Sequence, residues 1–128
     1  MTELNEIYRC NICDNMVEIV NASVGELVCC NQPMELLKER KTDIGPEKHV
    51  PIIEKIEDGV IIKIGEINHP MEENHHIVLI EAITSNKVYR KILKTNDEPI
   101  AKFNISESEL NDIKIREYCN VHGLWPKK

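Results

Sequence analysis

The chain has 128 residues, 41% hydrophobic and 30% charged, a balance that belongs to ordinary globular proteins and excludes a disordered chain. A formal net charge of -6, with its lysines scattered, excludes the basic face that a phosphate backbone requires. The N-terminal "MTELNEIYRC" lacks a basic start and an apolar run, and no stretch approaches the roughly 18 apolar residues of a membrane span. The expectation is a soluble, cytoplasmic protein with neither nucleic acid nor membrane as partner.

In a reducing cytoplasm, five cysteines read as metal ligands or redox groups rather than as a disulfide framework, and their odd number leaves one over in any case. Four lie near the start: Cys10 and Cys13 in "CNIC", then the adjacent Cys29 and Cys30 in "LVCC". The segment that carries them, residues 1–37, is too short to hold a fold on apolar burial alone, so bound metal is expected to supply the missing stability. A Cys-x-x-Cys turn converges two thiolates on one ion and a second pair completes a tetrahedral site. Neighbouring residues of an extended chain point to opposite faces, so Cys29 and Cys30 can share an ion only through a local turn. Four thiolates suit zinc and iron alike.

The charged, turn-rich "KERKTDIGPEK" follows and reads as a linker, which places a second domain at 38–128. Six runs rich in β-branched residues come next: "HVPIIEKI", "GVIIKIGEI", "HIVLIEAI", "KVYRKIL", "IAKFNI" and "IKIREY", separated by turn signals. They predict an antiparallel β-sandwich or barrel packed mainly on Ile, Val and Leu. Alternation in Ile62-Lys63-Ile64-Gly65 and Ile113-Lys114-Ile115-Arg116 predicts sheets with one wet face. "SESELND" has the composition for a single helical turn.

A single histidine near a strand end is usually just hydrogen-bonded, but this domain offers a set of candidates. His69 and His75 flank a loop between two strands, His49 opens another strand, and Cys119 with His122 closes the last in "EYCNVHGLW". Loops at one end of a sandwich converge in space, which would gather these groups. His75 and His76 face opposite ways, and His75, the one within the loop, is the expected ligand. Four imidazoles and one thiolate exceed the tetrahedral set of structural zinc and point to a square-pyramidal iron centre with one open position. A thiolate opposite that position pushes electron density toward whatever binds there. A ferrous ion with one thiolate keeps a charge near +1 and attracts a small anion. Gly123 eases the final turn, and Leu124 and Trp125 can cover the site.

"CNIC" and "LVCC", then "EKHVP", "HPMEENHH" and "EYCNVHGLW", resemble desulfoferrodoxin, the two-iron superoxide reductase family, over nearly the whole chain. The resemblance implies an all-β protein: a desulforedoxin-like domain with iron on Cys10, Cys13, Cys29 and Cys30, then an immunoglobulin-like sandwich. It implies a second iron with His49, His69, His75 and His122 as equatorial ligands and Cys119 as axial thiolate, hence two iron ions per chain. It further implies a homodimer, Glu47 as sixth ligand of the oxidised iron, and Lys48 as the group that draws in superoxide and supports protonation of peroxide. The implied reaction is one-electron reduction of superoxide to hydrogen peroxide, with a rubredoxin-like carrier returning the electron. The family would carry an aromatic residue at position 76, where this chain has histidine. A pure electron carrier and a zinc-bound structural module would use the same residue types; metal analysis and addition of superoxide to the reduced protein separate them.

Overall fold

The structure is a computed structural model and describes residues 1–40, 49–65 and 69–126. It divides into two compact units, Met1–Lys38 and Glu39–Lys128.

The first unit is built from five short strands: β1 (Ile7–Arg9), β2 (Met16–Glu18), β3 (Val28–Cys29), β4 (Gln32–Pro33) and β5 (Glu35–Leu36). The order β2-β1-β5 forms one antiparallel sheet, and β3 pairs with β4 as a separate hairpin. Few apolar side chains are available for burial. Ile7 and Ile19 are buried along with Cys10, whereas Ile12, Val20, Val24 and Val28 are exposed.

The second unit contains β6 (Pro51–Ile56), β7 (Gly59–Ile64), β8 (Ile77–Ile83), β9 (Val88–Ile92), β10 (Ile100–Phe103), β11 (Lys114–Cys119) and β12 (Gly123–Pro126). One sheet has the order β10-β7-β6 and the other β12-β11-β8-β9, every pairing antiparallel. Both sheets face a shared core of Val60, Ile62, Ile64, Ile77, Ile80, Ala82, Phe103 and Ile115. This is the antiparallel β-sandwich expected from the β-branched runs, in the immunoglobulin-like form that the family resemblance implies. "SESELND" forms a 3-10 helix over Glu107–Asp112, started by a reciprocal capping box between Ser106 and Glu109.

Gly59 makes the entry to β7 possible, because a Cβ there would lie 2.1 Å from the Phe103 carbonyl oxygen. Strand β12 goes beyond the six expected strands. The short "GLWP" run pairs along β11, and Arg40 donates its backbone N–H to the Leu124 carbonyl at 2.7 Å, so the outer edge of β12 is partly paired.

The alternation in β7 holds, with Val60, Ile62 and Ile64 fully buried and Lys63 turned outward. In β11 it does not give a wet face. Arg116 is 4% exposed, and its Nε donates to Glu81 Oε1 at 2.7 Å, while Arg90 Nε reaches Glu81 Oε2 at 2.6 Å. Glu81 lies directly across the ladder from both arginines, so a charge-assisted triad replaces solvent on that face.

Candidate metal centres

In the first unit the problem posed by adjacent cysteines is solved by the hairpin between β3 and β4. Its two turn residues, Cys30 and Asn31, have φ of 52° and 62°, the left-handed pair that a tight two-residue hairpin needs. The turn brings both sulfurs to one side, 3.9 Å apart, with Cys29 Sγ 3.5 Å from Cys13 Sγ. All four sulfurs of Cys10, Cys13, Cys29 and Cys30 lie within 4.8 Å of one another. Backbone N–H groups of Cys13 and Ile12 lower the Cys10 thiol to a pKa of about 6. The neighbouring thiols raise Cys29 and push Cys30 up to about 12. Sulfurs this close oppose one another as thiolates; a cation shared by all four removes that conflict, so the residues fit a metal.

The second site stands at one end of the sandwich, where register forces five side chains together. Pro51 at the start of β6 pairs with Ile64 at the end of β7, and Ile77 at the start of β8 pairs with Cys119 at the end of β11. His49 therefore precedes β6, and His69 and His75 occupy the β7–β8 connection. Cys119 ends β11, and His122 lies in the turn before β12, which Gly123 allows with φ of 88°.

The four imidazoles form a closed circuit. Ring centroids are 4.5 Å apart for His49 and His69, 4.9 Å for His69 and His75, 5.0 Å for His75 and His122, and 4.8 Å for His122 and His49, each pair edge to face. Donor atoms of His49, His69, Cys119 and His122 lie within 4.8 Å of one another, with His75 completing the circuit at its more exposed side. His49 Nε2 and His122 Nδ1 face each other at 3.0 Å. Two ring nitrogens aimed into one space are satisfied by a shared cation, so this donor set also fits a metal.

The surroundings orient the rings. His69 Nδ1 donates to the Pro70 carbonyl at 2.7 Å, which leaves the lone pair on Nε2. His49 Nδ1 lies 3.4 Å from the Oε2 of Glu117, a long contact outside hydrogen-bond geometry. Burial lowers His49 to a pKa of about 3 and holds the Glu117 carboxyl well above the usual carboxylate range. Trp125, fully buried, stacks on the His49 ring at 4.8 Å and 9° and donates its Nε1–H to the His122 carbonyl at 3.2 Å. Burial raises the Cys119 thiol, while the backbone N–H groups of His122, at 3.4 Å from Sγ, and of Val121 favour the thiolate.

His76 lies outside the circuit, its Nδ1 3.1 Å from the Glu72 carbonyl. Glu47 and Lys48 lie outside the described residues. Trp125 covers the site as the sequence suggested, stacked on His49, whereas sequence reading missed Glu117 and Asn120 as its neighbours. A signal existed for Glu117, which shares the parity of Ile115 and Cys119 on the core face of β11.

A four-thiolate knuckle in one small unit and a buried cluster of four imidazoles and a thiolate on a β-sandwich define a protein with two single-ion, thiolate-bearing metal centres. The desulfoferrodoxin profile matches residues 41–128, and the profile of the desulfoferrodoxin N-terminal domain matches residues 2–37. This chain belongs to the desulfoferrodoxin family, and its two donor sets match the two iron centres of that family.

It is 56% identical to the desulfoferrodoxin homolog of Methanothermobacter thermautotrophicus over 98% of this chain and 99% of that one. It is 34% identical to the superoxide reductase of Pyrococcus horikoshii over 70% of this chain and 94% of that one. The crystal structure of the superoxide reductase from Treponema pallidum has the same fold, with a TM-score of 0.75, 23% identity and 96% of each chain covered. Among the described residues no helix is long and apolar enough to cross a membrane.

Proposed function

We propose that this chain is a superoxide reductase that converts superoxide, with one electron and two protons, into hydrogen peroxide. The closed circuit of four imidazoles with Cys119 Sγ beside it carries the reading, because four nitrogens with one sulfur exceed the donor set of structural zinc and suit a redox-active iron. His49, His69, His75, His122 and Cys119 would hold a ferrous ion, which supplies the electron that superoxide accepts. Cys10, Cys13, Cys29 and Cys30 would hold the other iron.

Each protein group then has a separate task. Cys119, whose thiol burial raises while the N–H groups of His122 and Val121 oppose that shift, would lend thiolate charge to the ion it holds. Trp125 stacks on the His49 ring and holds the turn of His122 through its backbone carbonyl. Lys48, next to His49 in the chain, attracts the superoxide anion and hydrogen-bonds or protonates the bound product. Glu47, two residues before His49, would offer its carboxylate to the oxidised ion.

A rubredoxin-like carrier returns the electron, and the four-cysteine centre either relays it or holds the first domain, residues 1–37, in shape. Residues 38–128 form the reductase domain. The protein works in the cytoplasm as a homodimer.

The test is product stoichiometry. Reduced protein mixed with a superoxide pulse is expected to yield one peroxide per superoxide consumed and no dioxygen. Dioxygen release would make the chain a dismutase and overturn the reading.

A further inference from the structure

We propose that Asn120 is the positioning residue that seats His75 in the imidazole circuit. The inference rests on the metal reading above and assigns a role that the ligand set alone does not contain.

The five candidate ligands are not held alike. His49, His69 and Cys119 are buried, between 0% and 3% exposed, and packing immobilises them. His122 sits in a short turn whose carbonyl is held by Trp125. His75 is half-buried and lies in the loop Glu72–His76, where Glu72, Glu73 and Asn74 are exposed; Met71, packed on the core, and buried Ile77 fix only the two ends of the loop. The loop closes on itself, with Glu72 N–H donating to the His75 carbonyl at 2.9 Å and His75 N–H to the Glu72 carbonyl at 3.2 Å. These bonds shape the loop, but they do not place it over the site.

Asn120 links it to the opposite strand end. Its Oδ1 accepts from the His76 N–H at 2.9 Å, its Nδ2 donates to the Asn74 carbonyl at 3.1 Å, and its backbone N–H donates to the His76 carbonyl at 3.2 Å. The three bonds bracket His75 from the residue before and the residue after. Their source sits between Cys119 and His122, so one side chain ties the loop of one ligand to the turn of two others. An amide is suited to this, because it offers an acceptor and a donor at one planar end. Ala, Ser or a charged residue cannot make both side-chain bonds.

The experiment uses the full-length two-iron protein and follows loss of iron from the second site to a ferrous chelator, with the absorbance of the four-cysteine centre as internal reference. Asn120→Ala is expected to speed release about 10–100-fold, the usual effect of losing an outer-sphere partner. Asn120→Asp keeps the acceptor for His76 and loses the donor to Asn74, and is expected to fall between. In a His75→Ala background, Asn120→Ala is expected to add nothing, because the residue acts through His75.

If His75→Ala speeds release and Asn120→Ala does not, the clamp is wrong and the metal reading stands. Multiplying effects of the two substitutions would also overturn it, since Asn120 would then act elsewhere. If His75→Ala leaves release unchanged, the metal reading fails at this ligand and the clamp fails with it. Should Asn120→Ala not fold, Asn120→Asp runs through the same cycle with the same outcomes.

Discussion

Trp125 makes two contacts that can be removed separately. Its indole face lies on the His49 ring, and its N–H holds the His122 carbonyl. Trp125→Phe keeps an aromatic face but deletes the donor, which costs about 1 kcal/mol, and its smaller ring opens a gap worth roughly 1–2 kcal/mol. Trp125→Leu also removes the ring contact, about 0.5–1.5 kcal/mol more. For a unit of this size about 1 kcal/mol moves the melting temperature by roughly 4–8 °C, so Trp125→Phe is expected to lower it by roughly 10–20 °C and Trp125→Leu by more.

Calorimetry of the full-length chain with a chelator present reads this without the contribution of bound metal. Iron release is expected to keep that order with a different spacing, Phe close to wild type where the stack matters most and Leu clearly faster. If both variants melt within about 2 °C of wild type, the contacts drawn from the structure do not bear on the fold and the reasoning is refuted.

Three further outcomes follow from separate parts of the molecule. Asn31 has φ of 62°, so Asn31→Gly is expected to be tolerated, whereas Asn31→Val should cost about 1–2 kcal/mol and weaken iron retention at the four-cysteine site, read from its absorbance. Glu81→Ala leaves Arg116 buried without its carboxylate and is expected to cost about 3–5 kcal/mol, checked by calorimetry with iron content of the folded fraction unchanged. Lys48→Ala is expected to slow the second-order reaction with superoxide more at low salt than at high salt, because the lost contribution is steering; a rate equal to wild type at every ionic strength removes Lys48 from the mechanism.

The sandwich was legible because β-branched runs separated by turn signals need no tertiary information, and the cysteine and histidine positions were legible because those residue types fall at strand ends. Strand β12 was hidden by its brevity: "GLWP" reads as a cover until Trp125 pairs across from Glu117 and Leu124 from Tyr118. Arg116 looked like a solvent residue because alternation cannot report that Glu81 stands across the ladder. The left-handed turn at Cys30 and Asn31 was required by the adjacent cysteines, but its form was not readable. Asn120 was the least legible, since its side-chain partners lie 44 and 46 residues away and only the folded ladder brings them near.

The central claim concerns the sulfur at the end of β11. Cys119→Ala in the full-length protein, with iron content and superoxide consumption measured on the same sample, tests it most directly. The account predicts that the four-cysteine iron is retained, that iron at the second site is lost or loosely held, and that superoxide consumption falls to background. Full iron content with undiminished turnover would contradict it.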